Sequence, residues 1–202
     1  MLVKRTPYLL LLLLTLAICG ASCKSNTGDN EPPPADSSYF SIRQFIKDQI
    51  DTYYGAPYTL YRVARLDGQV DSTLVDFFNM DWGSVLGTFS ATDISARKYL
   101  GSYSYSMSDD DITGNRGHAY SATDPKAFTR LLQINTDPSN NRITSIYIET
   151  AKRDFFGSKT QKLLYIPLRI IQIQEREGNL LSKDRDLRID YKFLQEDEVE
   201  QF

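Results

Sequence analysis

One histidine, two cysteines and a short run of aspartates are the side chains of this sequence with the strongest claim to chemistry. His118 would have to serve any Ser-His-Asp or Cys-His unit, because no second imidazole exists to take a nucleophile's proton. No Gly-x-Ser-x-Gly elbow accompanies it. It follows the Gly114-Asn115-Arg116-Gly117 stretch, a place that suits a solvated or hairpin histidine. A zinc centre wants several His or Cys ligands, which the chain lacks. Asp109-Asp110-Asp111 offers the oxygen ligands that a hard cation such as calcium takes, without the spacing of a calcium-binding loop and its closing Glu. Three aspartates in a loop are ordinarily just solvated. Paired carboxylates hydrolyse glycosidic bonds, but with 26 acidic residues some pair falls at a suitable distance by chance. Gly114–Gly117 is too short to cradle a phosphate. The expectation is a protein without catalytic, metal or cofactor sites, and the alternative is a hydrolase using acidic residues.

The cysteines point to a different chemistry. Lys4 and Arg5 open the chain, Leu9 to Ile18 is apolar apart from Thr15, and the small residues Gly20, Ala21 and Ser22 precede Cys23. A basic start, a short apolar run and a small-residue cleavage site make an export signal. The run is well short of the roughly 20 apolar residues that a spanning helix needs. The stretch Leu16-Ala17-Ile18-Cys19-Gly20-Ala21-Ser22-Cys23 resembles a bacterial lipobox, in which a cysteine after small residues is acylated before the cut. Cys19 follows the bulky Ile18, so Cys23 is the expected lipid attachment site. With Cys19 inside the leader, the processed chain has no pair to oxidise, and burial alone must hold its core. The resemblance implies a diacylglyceryl group on Cys23, enough acyl chain for stable anchoring.

Residues 24–38, KSNTGDNEPPPADSS, are polar, with almost nothing apolar to fold around. Pro32-Pro33-Pro34 should hold a short extended piece, so residues 23–38 read as a lipidated tether. Lys24 stands where the inner-membrane retention signal of enteric lipoproteins has Asp, which points to the outer membrane, on its periplasmic or surface side. Taking off the leader and tether leaves roughly 165 residues, one domain of common size. The whole chain has a net charge of −3. That balance offers no overall attraction for nucleic acid or an anionic membrane face. The expected partners are the membrane through the lipid, and another envelope protein or a small apolar ligand. No repeat at solenoid or propeller period stands out.

The remaining elements must come from hydrophobic period. Ser37 or Ser38 can cap a first helix, in which Ile42, Phe45, Ile46, Ile50 and Tyr53 form one stripe before Gly55 and Pro57 end it. Thr59–Leu66 and Gln69–Phe77 read as a hairpin about Asp67-Gly68. Asn79 or Asp81 can cap a second short helix with Trp82, Val85, Leu86 and Phe89 on one face. Trp82, the only tryptophan, reads as a core wedge. From Tyr99 onward the pattern alternates, and Tyr99, Tyr103 and Tyr105 form a tyrosine row. Such a row is either a possible binding face, because tyrosine suits interfaces, or a sheet face covered by a helix. Further strands fit 117–122, 128–135 and 142–150. Residues 162–174 read as one apolar stretch in which Pro167 marks an edge or bulge. Glu177-Gly178-Asn179 reads as a turn, and 187–193 as a last strand.

Helix first and antiparallel strands after, with little β-α-β alternation, predict an α+β domain over residues 39–194. The expected form is a curved antiparallel meander with both helices packed on it, a closed barrel being the alternative, and residues 195–202 an acidic tail. The layout resembles small Bacteroidota-type lipoproteins. The carrying residues are the lipobox at Cys23, the helix with Phe40, Ile42 and Phe45, Asp81-Trp82 with Phe89 and Asp93-Ile94, and Ile143-Thr144-Ser145-Ile146-Tyr147-Ile148. That resemblance implies the envelope address and a two-helix, strand-rich domain, and no activity. The expected role is a membrane-anchored, non-enzymatic binding or assembly module.

Overall fold

In the computed structural model, residues 39–54, 56–180 and 183–194 are described. Cys23, the tether and the acidic tail lie outside them, as do Ser37 and Ser38. The first helix, α1 (Ile42–Tyr53), is capped instead by Ser41, whose hydroxyl accepts from the Gln44 amide at 3.2 Å. The second, α2 (Trp82–Ser90), is capped by Asp81, which accepts from the Ser84 amide at 3.1 Å. A serine or aspartate at this place satisfies an amide that the helix leaves open.

Nine strands follow the chain: β1 (Thr59–Leu66), β2 (Gln69–Asp76), β3 (Tyr103–Asp109), β4 (Arg116–Ala122), β5 (Thr129–Thr136), β6 (Ile143–Arg153), β7 (Gly157–Ile166), β8 (Ile170–Asn179) and β9 (Arg185–Leu194). All pair antiparallel in one sheet, ordered β2-β1-β9-β8-β7-β6-β5-β4-β3. The domain is thus mainly sheet, with two helices. The barrel alternative does not occur here: β2 and β3 are the two ends of the order and do not pair. β3 to β9 run as consecutive neighbours, and β1 then joins the outside of β9, with Leu60 opposite Phe193.

Three expectations are corrected. The strand expected from Tyr99 begins at Tyr103. Tyr99 sits in a 3-10 turn (Arg97–Tyr99), and Gly101 at φ 78° reverses the chain between them. The 162–174 stretch is two strands and not one. Pro167 occupies the turn between β7 and β8, where its fixed φ favours the second turn position, Leu168 adopts φ 52°, and the Arg169 amide donates to the Ile166 carbonyl at 3.0 Å. Glu177-Gly178-Asn179 does not turn but continues β8, with Gly157 opposite Asn179.

The asymmetry of the sheet follows from strand alternation. Leu60, Phe193, Ile171, Ile173, Leu163, Tyr165, Ile146, Ile148, Leu132 and Ile134 share one face and are buried. Phe45 of α1 and Phe89 of α2 both meet the Tyr165 ring, at 5.9 and 6.5 Å. Trp82 is half-buried as the wedge at one margin, its ring 4.5 Å from Phe77 and its indole N–H donating to the Phe77 carbonyl at 2.8 Å. Asp93 joins the two helical segments. It accepts from the Ser41 hydroxyl at 2.7 Å and the Arg43 amide at 2.8 Å.

Candidate functional site

The expected tyrosine face separates into three environments. Tyr103 is 5% exposed, with Tyr39 packed edge-on at 5.7 Å. Its hydroxyl donates to the Thr129 carbonyl at 2.9 Å, and burial pushes that hydroxyl up to about 12. It is a satisfied core group. Tyr99 lies off the strand, half-buried, with its ring 6.4 Å from Tyr103. Tyr105, half-buried on β3, is the member nearest to an open margin. There it stacks on His118, with ring centroids 6.2 Å apart.

His118 is held between hydroxyls, Nδ1 at 2.7 Å from Tyr105 and Nε2 at 3.4 Å from Thr136. Burial, then the nearby Arg116 charge, lowers its pKa, so the ring is neutral at pH 7. Both nitrogens face sheet hydroxyls, which fits a structural histidine. The aspartate run is likewise absorbed into local structure. Asp109 accepts from Arg116 at 2.8 Å, while Asp110 accepts from the Ile112 amide at 3.0 Å and the Thr113 hydroxyl at 2.6 Å. Among the described residues no group of three or more His, Cys, Asp or Glu is placed to hold a metal ion.

The helix-covered face turns polar toward the β6–β7 hairpin. Lys159 on β7 lies between Glu175 at 2.6 Å and Glu177 at 3.1 Å on β8, and Gln161 donates to Glu175 at 2.8 Å. Burial pushes the Glu175 carboxyl up, but the hydrogen bonds from Lys159 and Gln161 outweigh it and hold the group below the usual carboxylate range. A general acid for glycoside hydrolysis needs the opposite shift. This carboxylate pair is built as an ion-pair network.

On the alternate strand positions, Ala151, Arg153, Ser158 and Thr160, which face away from that network, the end of β6 and the starts of β5 and β7 border a groove of about 540 Å³ that sequence reasoning missed. Lys126, Arg130, Lys152 and Arg153 line it, together with Ser158 and Thr160. Strand pairing assembles it: the Ala151 amide donates to the Phe128 carbonyl at 2.9 Å, which brings the start of β5 against the end of β6. The Arg130 guanidinium donates to the Asp124 backbone carbonyl at 3.3 Å, a neutral partner. None of the four cations makes an ion pair among the described residues. No acidic side chain lines this groove, although Asp154 and Asp184 share a neighbouring hollow with Arg153, and Asp154 and Glu177 share another with Lys152.

The β6–β7 turn lies between Arg153 and Ser158, two of the residues that line the groove. Asp154 caps it inward, accepting from the Phe156 and Gly157 amides at 3.0 Å each. Phe155 and Phe156 are left 84% and 65% exposed, edge to face at 5.4 Å. Leu180, 76% exposed, is tied to them through its amide, which donates to the Phe156 carbonyl at 3.1 Å. The sequence does carry one signal of this place. Lys152-Arg153-Asp154-Phe155-Phe156 sets two cations and two aromatics on either side of one aspartate. Lys126 and Arg130 join them only through the pairing of β5 with β6. The gap between helices and sheet, lined by Ile46, Val85, Phe89 and Tyr165, is only about 10 Å³.

Compared with known protein families, with curated proteins and with solved structures, the chain matches none of them.

Proposed function

We propose that this chain is an envelope lipoprotein, acylated at Cys23 and anchored in the outer membrane through its lipid. Its domain is a non-enzymatic binding module that reads an anionic surface. The observation that carries the binding reading is the groove of Lys126, Arg130, Lys152 and Arg153, four cations without acidic partners on a chain whose net charge is −3. Local charge decides where an anion docks, because fields beyond roughly 10 Å are screened at ordinary salt. The domain spans residues 39–194, with 1–22 as leader, 23–38 as tether and 195–202 as acidic tail.

A surface partner is favoured over a small apolar cargo by the size of the core gap. About 10 Å³ holds one water at most, whereas ligand pockets run to about 300–1,000 Å³. The sheet is read as curving around its helices. Nine strands at about 4.8 Å spacing would make a flat sheet some 38 Å wide, more than two helices of about 10 Å each can cover.

Polyphosphate, titrated calorimetrically into the chain, tests the binding reading. Binding is expected to weaken with added salt. Joint substitution of Lys152→Glu and Arg153→Glu is expected to weaken it about tenfold or more, since a charge-assisted contact contributes about 1.5–3 kcal/mol. Equal affinity in the two proteins would refute the groove as the binding site.

A further inference from the structure

The aromatic turn beside the groove defines the chemistry of the partner. We infer that the β6–β7 turn is a membrane-docking tip: Phe155 and Phe156 enter the interface of a bilayer while Lys126, Arg130, Lys152 and Arg153 pair with anionic lipid headgroups. This inference rests on the anion-reading groove proposed above and names its target as a lipid surface.

Three features of the tip support that choice. Two phenylalanine rings project from a turn that is closed by its own Asp154 carboxylate, so their exposure is held by the backbone. Apolar rings flanked by basic side chains are the composition of an interfacial anchor. Each cation near an anionic bilayer adds to partitioning by about fivefold, and the effect decays within a Debye length. The cations line a groove that shares Ser158, just beyond the turn, with the hollow lined by Phe156. The turn joins the end of β6 to the start of β7, where Arg153 and Ser158 line the groove, so the rings lie at the same end of that hairpin as these cations.

The test uses the chain from Lys24 to Phe202, which keeps every described element and removes the apolar leader. It is sedimented with vesicles of phosphatidylglycerol and phosphatidylethanolamine, and with vesicles of phosphatidylcholine alone. Salt-sensitive binding to the anionic vesicles and little to the neutral ones is expected. Phe155→Ser with Phe156→Ser should lower that binding about tenfold and leave polyphosphate affinity unchanged. Lys152→Glu with Arg153→Glu should lower both. Intact polyphosphate binding without vesicle binding overturns the lipid inference alone, whereas loss of neither in the charge variant overturns the groove reading beneath it. A second measurement does not depend on the Phe variants folding. The chain from Lys24 has no cysteine, so Phe155→Cys carries a single polarity-sensitive fluorophore. Its quenching by brominated lipid supports insertion, and the absence of quenching on anionic vesicles refutes it.

Discussion

Asp93 ties the first turn of α1 to the loop after α2, and its worth can be read from its bonds. Burial pushes its carboxyl up, yet hydrogen bonds from Ser95, Ser41 and the Arg43 amide prevail and hold it below the usual carboxylate range. A carboxyl with a depressed folded pKa contributes stability that is complete above its unfolded pKa, near 3.9. That contribution is lost as pH falls through the folded pKa. Asp93→Ala is expected to cost about 1–3 kcal/mol at pH 7, because it leaves donors in a partly buried site unmatched. Urea denaturation measures it, and the difference between the two proteins should shrink at acid pH. The cap at Asp81 was legible in the sequence, since its partner Ser84 is three residues away. The role of Asp93 was not, because Ser41 is 52 residues distant. His118 was visible as the sole imidazole, but the hydroxyls that occupy its two nitrogens come from β3 and β5 and depend on strand register.

At the scale of elements, two glycines should answer oppositely to the same substitution. Gly87 lies within α2, exposed, and a Cβ there meets nothing. Gly87→Ala is expected to stabilise by about 0.5–1 kcal/mol through reduced backbone entropy in the unfolded chain. Gly157 opens β7 opposite Asn179, and a Cβ there would collide with the neighbouring Gly178 carbonyl oxygen. Gly157→Ala is therefore expected to destabilise by about 1–3 kcal/mol, as an overpacked contact does. The same chemical-denaturation series reads both. Close backbone approach also explains why Glu177-Gly178-Asn179 was misread. Gly178 lies in the strand where β7 and β8 crowd together, and glycine in sequence does not distinguish a turn from a close approach. Asp67-Gly68 was legible because both residues take positive φ, 51° and 89°, as a two-residue hairpin turn requires. Pro167 carried a turn signal too, but the apolar residues on either side masked it.

For the whole molecule, alternation revealed an antiparallel α+β domain, but neighbours in the sheet could not be read where chain order and strand order part. β1 sits beside β9, across more than half of the sequence. Net charge is silent about such local features for a related reason: it averages over a surface on which Lys126, Arg130, Lys152 and Arg153 line one groove. The address proposed for the chain is a property of the whole molecule as well. Cys23→Ala is expected to move the protein from the membrane to the soluble fraction of the cell envelope, checked by fractionation and by loss of labelled acyl chain, because the tip alone binds far more weakly than two or more buried acyl chains. Retention of the variant in washed membranes would refute the anchor. The pairing of β1 with β9 also sets a clock on maturation. Until residues 185–194 emerge, the β1–β2 hairpin has no strand to join, and an isolated two-stranded hairpin is marginal in water. In a chain delivered N-terminus first, β3 to β8 could pair in turn as they emerge, while the β1–β2 hairpin would wait for the last strand to complete the sheet.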